Sequence, residues 1–251
     1  MTVFTVVIPA RLASSRLERK ALADLGGKPM VVRVAERAAQ SKAKQILVAT
    51  DAVEIESVCQ AAGLNVLMTR ADHPSGTDRI AEVASRLGLD DEALIVNVQG
   101  DEPLIPVDLI NQVANTLAAH PECVMSTAAV AIQNAEEITN PNAVKVVLNQ
   151  RHEALYFSRA AVPYDRTQSS PTYYRHIGIY AYRVAFLKKY AQLTSSPLEV
   201  AESLEQLRVL WHGYRIAVHL ASVLPPAGVD TSEDLARVRA FFLGISLRNI
   251  A

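Results

Sequence analysis

The sequence predicts an α/β protein with a mainly parallel central sheet flanked by helices. Short β-rich runs alternate with helical patterns over the first 120 residues, which is the order of a parallel sheet. Half of the 251 residues are hydrophobic and 20% are charged, as in globular chains long enough to bury a single large core. We therefore expect one domain over residues 1–251.

Four predicted strands alternate with four predicted helices in the first 120 residues. Strands are predicted at 3–10, 45–51, 65–69 and 93–101, and helices at 29–40, 52–62, 75–88 and 106–119. Asp51 followed by Glu54 indicates an N-terminal cap for the helix at 52–62. In an open parallel sheet, ligands collect beyond the carboxyl ends of the strands, which selects the loops 9–28, 70–79 and 99–105.

The regular alternation of strands and helices ends after residue 120, where the predicted strands are joined by irregular polar segments. These strands lie at 124–132, 142–149, 153–158, 175–183 and 214–223, and helices are predicted at 184–193, at 197–211 and within 228–242. Ser196, Pro197 and Glu199 form a capping box with proline at the first helical position of the helix at 197–211.

Composition excludes several classes of protein. A net charge of -1 is not typical of a nucleic-acid binder or a membrane-surface protein, and no apolar run approaches the ~20 residues that span a bilayer. Cys59 and Cys123 indicate neither a disulfide framework nor a zinc site. The N-terminus lacks the basic start of a secretory signal. We expect a reduced, cytoplasmic protein.

A basic loop follows the first strand, and an acidic pair follows the fourth. The segment 8–29 contains Arg11, Arg16, Arg19, Lys20 and Lys28. Asp101 and Glu102 end the fourth strand, where a carboxylate is suited to Mg²⁺ shared with a phosphate. The pattern favours magnesium–nucleotide chemistry without a P-loop or a dinucleotide fingerprint.

Ordinary structural roles stay open for these residues. Asp101 is also typical of a turn, Asp230 of a helix cap, and Glu205 of a solvated helix face. A single arginine in the loop is most often solvated, and His176 is compatible with a partly buried strand. Composition and spacing thus indicate an α/β nucleotide- or phosphate-binding enzyme.

The sequence resembles the 3-deoxy-D-manno-octulosonate (Kdo) cytidylyltransferase, or CMP-Kdo synthetase, family over nearly its whole length. The blocks that carry the resemblance are VVIPARLASSRL, ADHPSGTDR, VNVQGDEP, NPNAVKVV, ALYFSRA, RHIGIYAYR, SLEQLRVL and GVDTSEDL. The resemblance implies a glycosyltransferase-A-like fold, a homodimer and Mg²⁺-dependent transfer of CMP from CTP to Kdo for lipopolysaccharide biosynthesis. It divides the chain into a CTP-binding part (1–120), a sugar-binding and dimerisation part (121–230) and a C-terminal helix (231–251).

The resemblance also implies roles for individual residues. Asp101 and Asp230 would bind Mg²⁺ and, with Arg11 and Lys20, carry the catalysis. The nucleotide would be bound by Ala10, Arg11, Arg16, Lys20, Ser75, Gly76 and Gln99. Kdo would be bound by Gln99, Arg159, His176, Tyr180, Glu205 and Gln206, with the Arg159 guanidinium on its carboxylate.

The loop after the first strand departs from the family pattern. The family usually has SRLPGKPL, whereas this chain has SRLERKAL, with Glu18 and Ala21 in place of proline and Arg19 in place of a small residue. Lys20 is retained. Alternatives are a cytidylyltransferase for 8-amino-Kdo or sialic acid, or a non-catalytic nucleotide-binding regulator. The Kdo-type blocks argue against sialic acid, and keeping both aspartates argues against a regulator.

Overall fold

The computed structural model describes residues 2–13, 17–73 and 75–245. Within these residues the strands are β1 (Phe4–Ala10), β2 (Gln45–Thr50), β3 (Val66–Met68), β4 (Leu94–Asn97), β5 (Met125–Ala131), β6 (Lys145–Leu148), β7 (Ala154–Ser158), β8 (Tyr174–Arg183) and β9 (Ile216–Ala221). The helices are α1 (Met30–Ala38), α2 (Val53–Ala61), α3 (Gly76–Arg86), α4 (Val107–Ala119), α5 (Glu136–Thr139), α6 (Val184–Tyr190), α7 (Pro197–Glu202), α8 (Gln206–Trp211) and α9 (Ser232–Phe242), with a short 3-10 helix at Lys20–Leu22.

The strands form one sheet with the path β3-β2-β1-β4-β8-β5-β9. Its first four strands are mutually parallel, as the alternation of strands and helices predicts. Strand β8 runs antiparallel to both β4 and β5, and β9 is parallel to β5. The predicted fold class, an α/β protein with a mainly parallel central sheet, is confirmed.

The later strands add a smaller β-rich part to the same sheet. Strands β6 and β7 pair antiparallel, and β6 also pairs with β8. The sheet therefore runs through both of the parts predicted at 1–120 and 121–230, while that functional division stays a prediction.

Hydrophobic cores lie on both faces of the sheet, because side chains alternate along each strand. Val6 and Ile8 of β1 face the core formed with α1, α2, α4 and α9, whereas Val7 faces the core formed with α3, α6 and α8. The near-continuous burial of β1 is typical of a strand covered by helices on both sides. No helix among the described residues is long and apolar enough to cross a bilayer.

Two local predictions are wrong. The helix predicted at 197–211 is divided into α7 and α8, because Ser203 adopts a left-handed conformation with φ 51° that ends α7. Asp51 does not cap α2, whose N-cap is Ala52 without a side-chain hydrogen bond. The Asp51 carboxylate instead pairs with Arg79 at 2.9 Å. The capping box of Ser196 and Glu199, with Pro197 in the first turn, is confirmed.

Candidate active site

A cavity of about 340 Å³ opens at the carboxyl ends of β1 and β4, the edge where the sequence predicts a ligand. We call it the first cavity. Among its lining residues are Ala10, Arg11, Lys20, Ser75, Gly76, Gln99 and Asp101, all of which belong to the predicted nucleotide-binding or catalytic set. Arg16, also predicted to bind the nucleotide, lies outside the described residues. Because both the basic loop and the acidic strand end reach this cavity, one ligand can contact both.

The wall between the two strand ends depends on a glycine. A Cβ built on Gly100 would lie 2.9 Å from the carbonyl oxygen of Pro9, closer than real Cβ contacts occur. Any larger residue would therefore push β1 and the loop after β4 apart. The absence of a side chain at Gly100 therefore allows the end of β1 and the loop after β4 to lie close together, along with the side chains that follow them.

One lysine joins the two predicted metal ligands. Lys20 Nζ donates to Asp101 Oδ2 at 2.6 Å and to Asp230 Oδ1 at 3.0 Å. The three residues come from the 3-10 helix, the loop after β4 and the loop before α9. The cap of α9 is Thr231, which accepts from the backbone of Asp234, so the capping interpretation of Asp230 is wrong. The Asp230 carboxylate instead contacts the Lys20 ammonium.

Charge and burial shift the pKa values of this cluster. Burial lowers the pKa of Lys20, but hydrogen bonds and charges from Asp101 and Asp230 outweigh burial and leave that pKa raised. Burial, together with the negative charges of Asp101 and Asp230, raises the pKa of the neighbouring Glu102 to about 7. Lys20 is thus firmly cationic, and the surrounding carboxylates make the site attractive to positive charge.

Helix α3 presents its N-terminus to the first cavity. Ser75 caps the helix by accepting from the backbone N–H of Asp78 at 3.2 Å. Gly76 follows as the first helical residue and lines the cavity. One turn further, the buried Arg79 bonds to Asp51 and Thr69, which ties α3 to the ends of β2 and β3. The positive end of α3 therefore faces the ligand space from a fixed position.

A second cavity, of about 380 Å³, adjoins the first and shares Gly76, Gln99 and Glu205 with it. Of the residues predicted to bind the sugar, Gln99, His176, Tyr180, Glu205 and Gln206 line this second cavity. Tyr180 Oη and Gln206 Oε1 lie 3.4 Å apart. The structure thus brings five of the six predicted residues together.

His176 and Glu205 sit differently in the wall of the second cavity. The His176 ring packs 4.9 Å from Phe157 and 5.5 Å from Tyr180, measured between ring centroids. Burial lowers the pKa of His176 to about 3. Glu205 is open to the cavity, yet the protein around it is dense enough for burial to raise its pKa. A hydrogen bond from Thr77 Oγ1 at 3.2 Å stabilises the ionised Glu205 carboxylate and opposes that rise.

Arg159 is the predicted sugar-binding residue that lies apart from the cavity linings. Its Nε donates to the carbonyl oxygen of Glu202 at 2.7 Å, and its Nη1 donates to that of Pro141 at 3.0 Å. Arg175 lines the second cavity instead, and its Nη1 contacts Glu137 at 2.9 Å. The role predicted for Arg159 stays a prediction.

Several residues that line the second cavity are not among the predicted site residues. Thr77 links Glu205 to the start of α3, and Asn97 and Arg175 line the second cavity. Asn97 was detectable, because it is a polar residue inside the otherwise apolar strand ALIVNV. Arg175 carries no comparable signal, since an arginine at a strand start is common on protein surfaces.

The chain matches the cytidylyltransferase family over residues 5–216. It is similar to 3-deoxy-manno-octulosonate cytidylyltransferases of Polynucleobacter asymbioticus (62% identical over 239 residues, 94% of each chain) and Leptothrix cholodnii (58% over 247 residues, 95% of this chain and 91% of the other).

Two solved structures are also similar to this protein. A CMP:2-keto-3-deoxy-manno-octonic acid synthetase complexed with CTP matches with a TM-score of 0.90 and 42% identity, over 97% of this chain and 99% of that one. A cytidylyltransferase from Leptospira borgpetersenii matches with a TM-score of 0.60 and 17% identity, over 96% of this chain and 86% of that one, which supports the fold alone. Extensive identity and coverage, with the site geometry above, show that the chain belongs to the 3-deoxy-manno-octulosonate cytidylyltransferase family.

Proposed function

We propose that this protein transfers CMP from CTP to the anomeric hydroxyl of Kdo and releases pyrophosphate, activating Kdo for lipopolysaccharide biosynthesis. The observation that carries the proposal is a pair of adjoining cavities, the first of which is lined by Lys20 and Asp101, with Asp230 bound to Lys20. A reaction between two substrates needs adjoining spaces, so that the nucleophile and the phosphorus meet in line. The relatives named above support the choice of CTP and Kdo.

The first cavity is suited to the nucleotide. Arg11 and Lys20 would bind the triphosphate through charge-assisted hydrogen bonds. Ala10, Ser75 and Gly76 present little side-chain bulk, so the cytidine can approach the backbone there. In the reaction, the oxygen of the sugar hydroxyl bonds to the α-phosphorus, the bond to pyrophosphate breaks, and the hydroxyl proton passes to solvent.

Asp101 and Asp230 fit a divalent metal ion. Two carboxylates that both reach one ammonium nitrogen are close enough to share one cation, and an all-oxygen donor pair suits Mg²⁺. A bound Mg²⁺ would supply positive charge that offsets the negative charge of the triphosphate. Lys20 balances the two aspartates electrostatically, which keeps the like-charged carboxylates together.

The second cavity is suited to a polyhydroxylated acid. His176, Tyr180 and Gln206 offer uncharged hydrogen-bonding groups, as sugar hydroxyls require. Gln99 and Glu205 line both cavities and therefore lie where the two substrates would meet. Arg159 is proposed to hold the carboxylate of Kdo.

Pyrophosphate release tests the proposal directly. With CTP and Mg²⁺, we expect rapid release with Kdo, slower release with 8-amino-Kdo, little with N-acetylneuraminate, and loss of release in EDTA. A preference for either other sugar would reject Kdo as the substrate. CTP binding without release for any sugar would favour the non-catalytic regulator.

Variants of the two aspartates test the metal assignment. Asp101→Ala and Asp230→Ala should each abolish turnover without unfolding the protein, because both side chains are partly exposed to solvent. Asp91→Ala is the matched control, since that carboxylate pairs with Lys188 on the surface at 2.7 Å. Near-normal turnover of Asp101→Ala or Asp230→Ala would refute the assignment.

We also propose a cytoplasmic homodimer, with much of its two-fold interface supplied by the segment from about residue 120 to 182. Leu155 on β7 and Tyr164 are exposed apolar side chains in this region. Phe157, in contrast, is fully buried within the chain's own core and does not contribute to a surface. Sedimentation equilibrium should show a dimer at micromolar concentration, and Tyr164→Asp with Leu155→Asp should shift it toward monomer.

A further inference from the structure

Thr127 lies at an irregularity in the sheet directly behind the second cavity. It is fully buried on β5. Its partner on β8 is Tyr180, whereas the partner of the next residue, Ala128, is Ile177. Two residues of β8, Gly178 and Ile179, therefore have no partners on β5 at this point and form a bulge. The bulge leaves backbone carbonyl groups without the usual ladder hydrogen bonds.

The Thr127 hydroxyl meets three polar atoms. Its Oγ1 lies 3.1 Å from the carbonyl oxygen of Ile177, 2.8 Å from that of Ile179 and 2.9 Å from Nε2 of His176. A threonine hydroxyl has a single proton, and carbonyl oxygens only accept hydrogen bonds. The hydroxyl must therefore donate to the bulge, which leaves only its lone pairs for His176.

This arrangement determines the state of the imidazole. Because Thr127 accepts at His176, the hydrogen on that side belongs to Nε2 of the ring. In a neutral imidazole the other nitrogen, Nδ1, then carries a lone pair and accepts hydrogen bonds. Within the described residues, Nδ1 has no hydrogen-bond partner, and His176 lines the cavity. The low pKa produced by burial agrees with a neutral ring.

We propose that Thr127 is a positioning residue that holds His176 as the Nε2–H tautomer, so that Nδ1 accepts a hydrogen bond from a hydroxyl group of the sugar acid. The inference rests on the proposed function and specifies the chemistry of one wall of its sugar site. A carboxylate only accepts hydrogen bonds and has no favourable contact with a bare Nδ1. The sugar must therefore turn a hydroxyl toward His176 and its carboxylate elsewhere.

Nitrogen NMR of histidine-labelled protein tests the tautomer without any substrate. We expect the His176 signals, assigned by their loss in His176→Asn, to show a pyrrole-like Nε2 and a pyridine-like Nδ1 at neutral pH. In Thr127→Val, which removes the hydroxyl and keeps the shape, the proton should redistribute between the nitrogens. Thr127→Ser keeps the hydroxyl and should restore the wild-type pattern.

Kinetics test the consequence for the substrate. Loss of one neutral hydrogen bond predicts that Thr127→Val raises KM for Kdo by about threefold to tenfold. KM for CTP should stay within about twofold, and Thr127→Ser should recover the Kdo value. Equal effects on both substrates, or no effect, would refute the positioning role.

The two parts of the proposal can fail separately. A proton on Nδ1, or a charged ring at neutral pH, would overturn the tautomer whatever the enzyme does. If wild-type protein gives no turnover with Kdo, the proposed function fails, while the tautomer measured in free protein still stands.

Discussion

The two cavities share three residues but differ in their chemistry. The first is lined by several charged groups, among them Arg11, Lys20 and Asp101. The second is lined mainly by uncharged aromatic, amide and hydroxyl groups such as Tyr180 and Gln206. Charged side chains suit phosphates and metal ions. Uncharged hydrogen-bonding groups suit sugar hydroxyls, and they avoid the cost of placing unpaired charge in a low-dielectric environment. The comparison indicates that charge neutralisation and sugar recognition take place in two adjoining cavities, which meet at the residues that line both.

The cavities also differ in how the chain builds them. The first is formed by loops that follow parallel strands, so its residues come from a few short segments close to strand ends. The second combines side chains of β4, β8 and the α7–α8 region, which are distant in sequence. Removing a charge should therefore be most harmful around the first cavity, and altering a neutral contact should have subtler effects around the second.

The largest effect on stability is expected beside the first cavity. Asp51→Ala should lower the free energy of unfolding by about 3–5 kcal/mol, because it leaves the buried Arg79 guanidinium without its counter-ion. Urea unfolding measures this change. The exposed pair of Arg70 and Asp72, 2.8 Å apart, gives the control, and Asp72→Ala should hardly change the midpoint. Equal effects of the two variants would contradict the role assigned to burial.

The next effect concerns the carboxylate of Kdo. Arg159→Lys should raise KM for Kdo far more than KM for CTP, since losing a bidentate charged contact costs roughly 1.5–3 kcal/mol, about one to two decades in affinity. Arg175→Lys provides the comparison, because Arg175 lines the second cavity. If only Arg175→Lys shows the selective loss, the assignment of Arg159 is wrong.

The buried histidine of the second cavity predicts a pH effect on stability. An unfolded histidine takes up a proton below about pH 6.5, whereas burial keeps the pKa of His176 at about 3 in the folded protein. The unfolded state binds this proton first, so His176 lowers stability as pH falls from about 6.5 toward 3, by at most about 1.4 kcal/mol per pH unit. Urea titrations of His176→Gln should show a shallower loss between pH 6.5 and 4.5.

An exposed histidine separates this effect from general acid sensitivity. His152→Asn should retain the wild-type dependence on pH, because His152 lies on the surface. If both variants change the slope equally, burial of His176 is not the cause.

The smallest effect is expected in the unusual basic loop. Arg19 adopts φ 51° and ψ 34°, a left-handed conformation that favours glycine, and its side chain lies 3.9 Å from Glu54. Arg19→Gly should therefore raise the free energy of unfolding by less than about 1 kcal/mol, since relief of strain is partly offset by the entropy of glycine. Thermal unfolding of Arg19→Gly and of Arg19→Ala should be compared, because the difference between them measures the effect of the left-handed backbone conformation without the arginine side chain. A stabilisation of equal size in both variants would assign it to the side chain.

The sequence allowed the parallel part of the fold and the first cavity to be predicted well. Strand–helix alternation and the position of charged loops can be recognised locally in the sequence. Because ligands bind beyond the carboxyl ends of parallel strands, these local features also predict where Lys20 and Asp101 lie. The role of Asp51 was not predictable, because a local capping pattern competes with an ion pair to Arg79, 28 residues away. Likewise, the division of α7 from α8 depends on a left-handed Ser203, which no common glycine or proline signal marks.

The second cavity was predicted only through family resemblance. The side chains of His176 and Gln206 converge from different elements, and nothing in their spacing indicates that they meet. The contacts of Thr127 depend on a bulge in β8, whose position follows from strand register and not from a short motif. Such long-range geometry requires the folded chain.

The close approach at Gly100 has a consequence for how this protein can vary. Glycine supplies no side-chain group at this position, yet a Cβ added there would lie only 2.9 Å from the carbonyl oxygen of Pro9, which leaves no room for even a methyl group. In a saturation library selected for folding and activity, glycine alone should be recovered at position 100, while Gly27 and Gly63, where an added Cβ meets open space, should accept asparagine in their left-handed turns. Invariance at Gly100 would thus be explained by the close approach of two backbone segments, without any side-chain contact to the substrate.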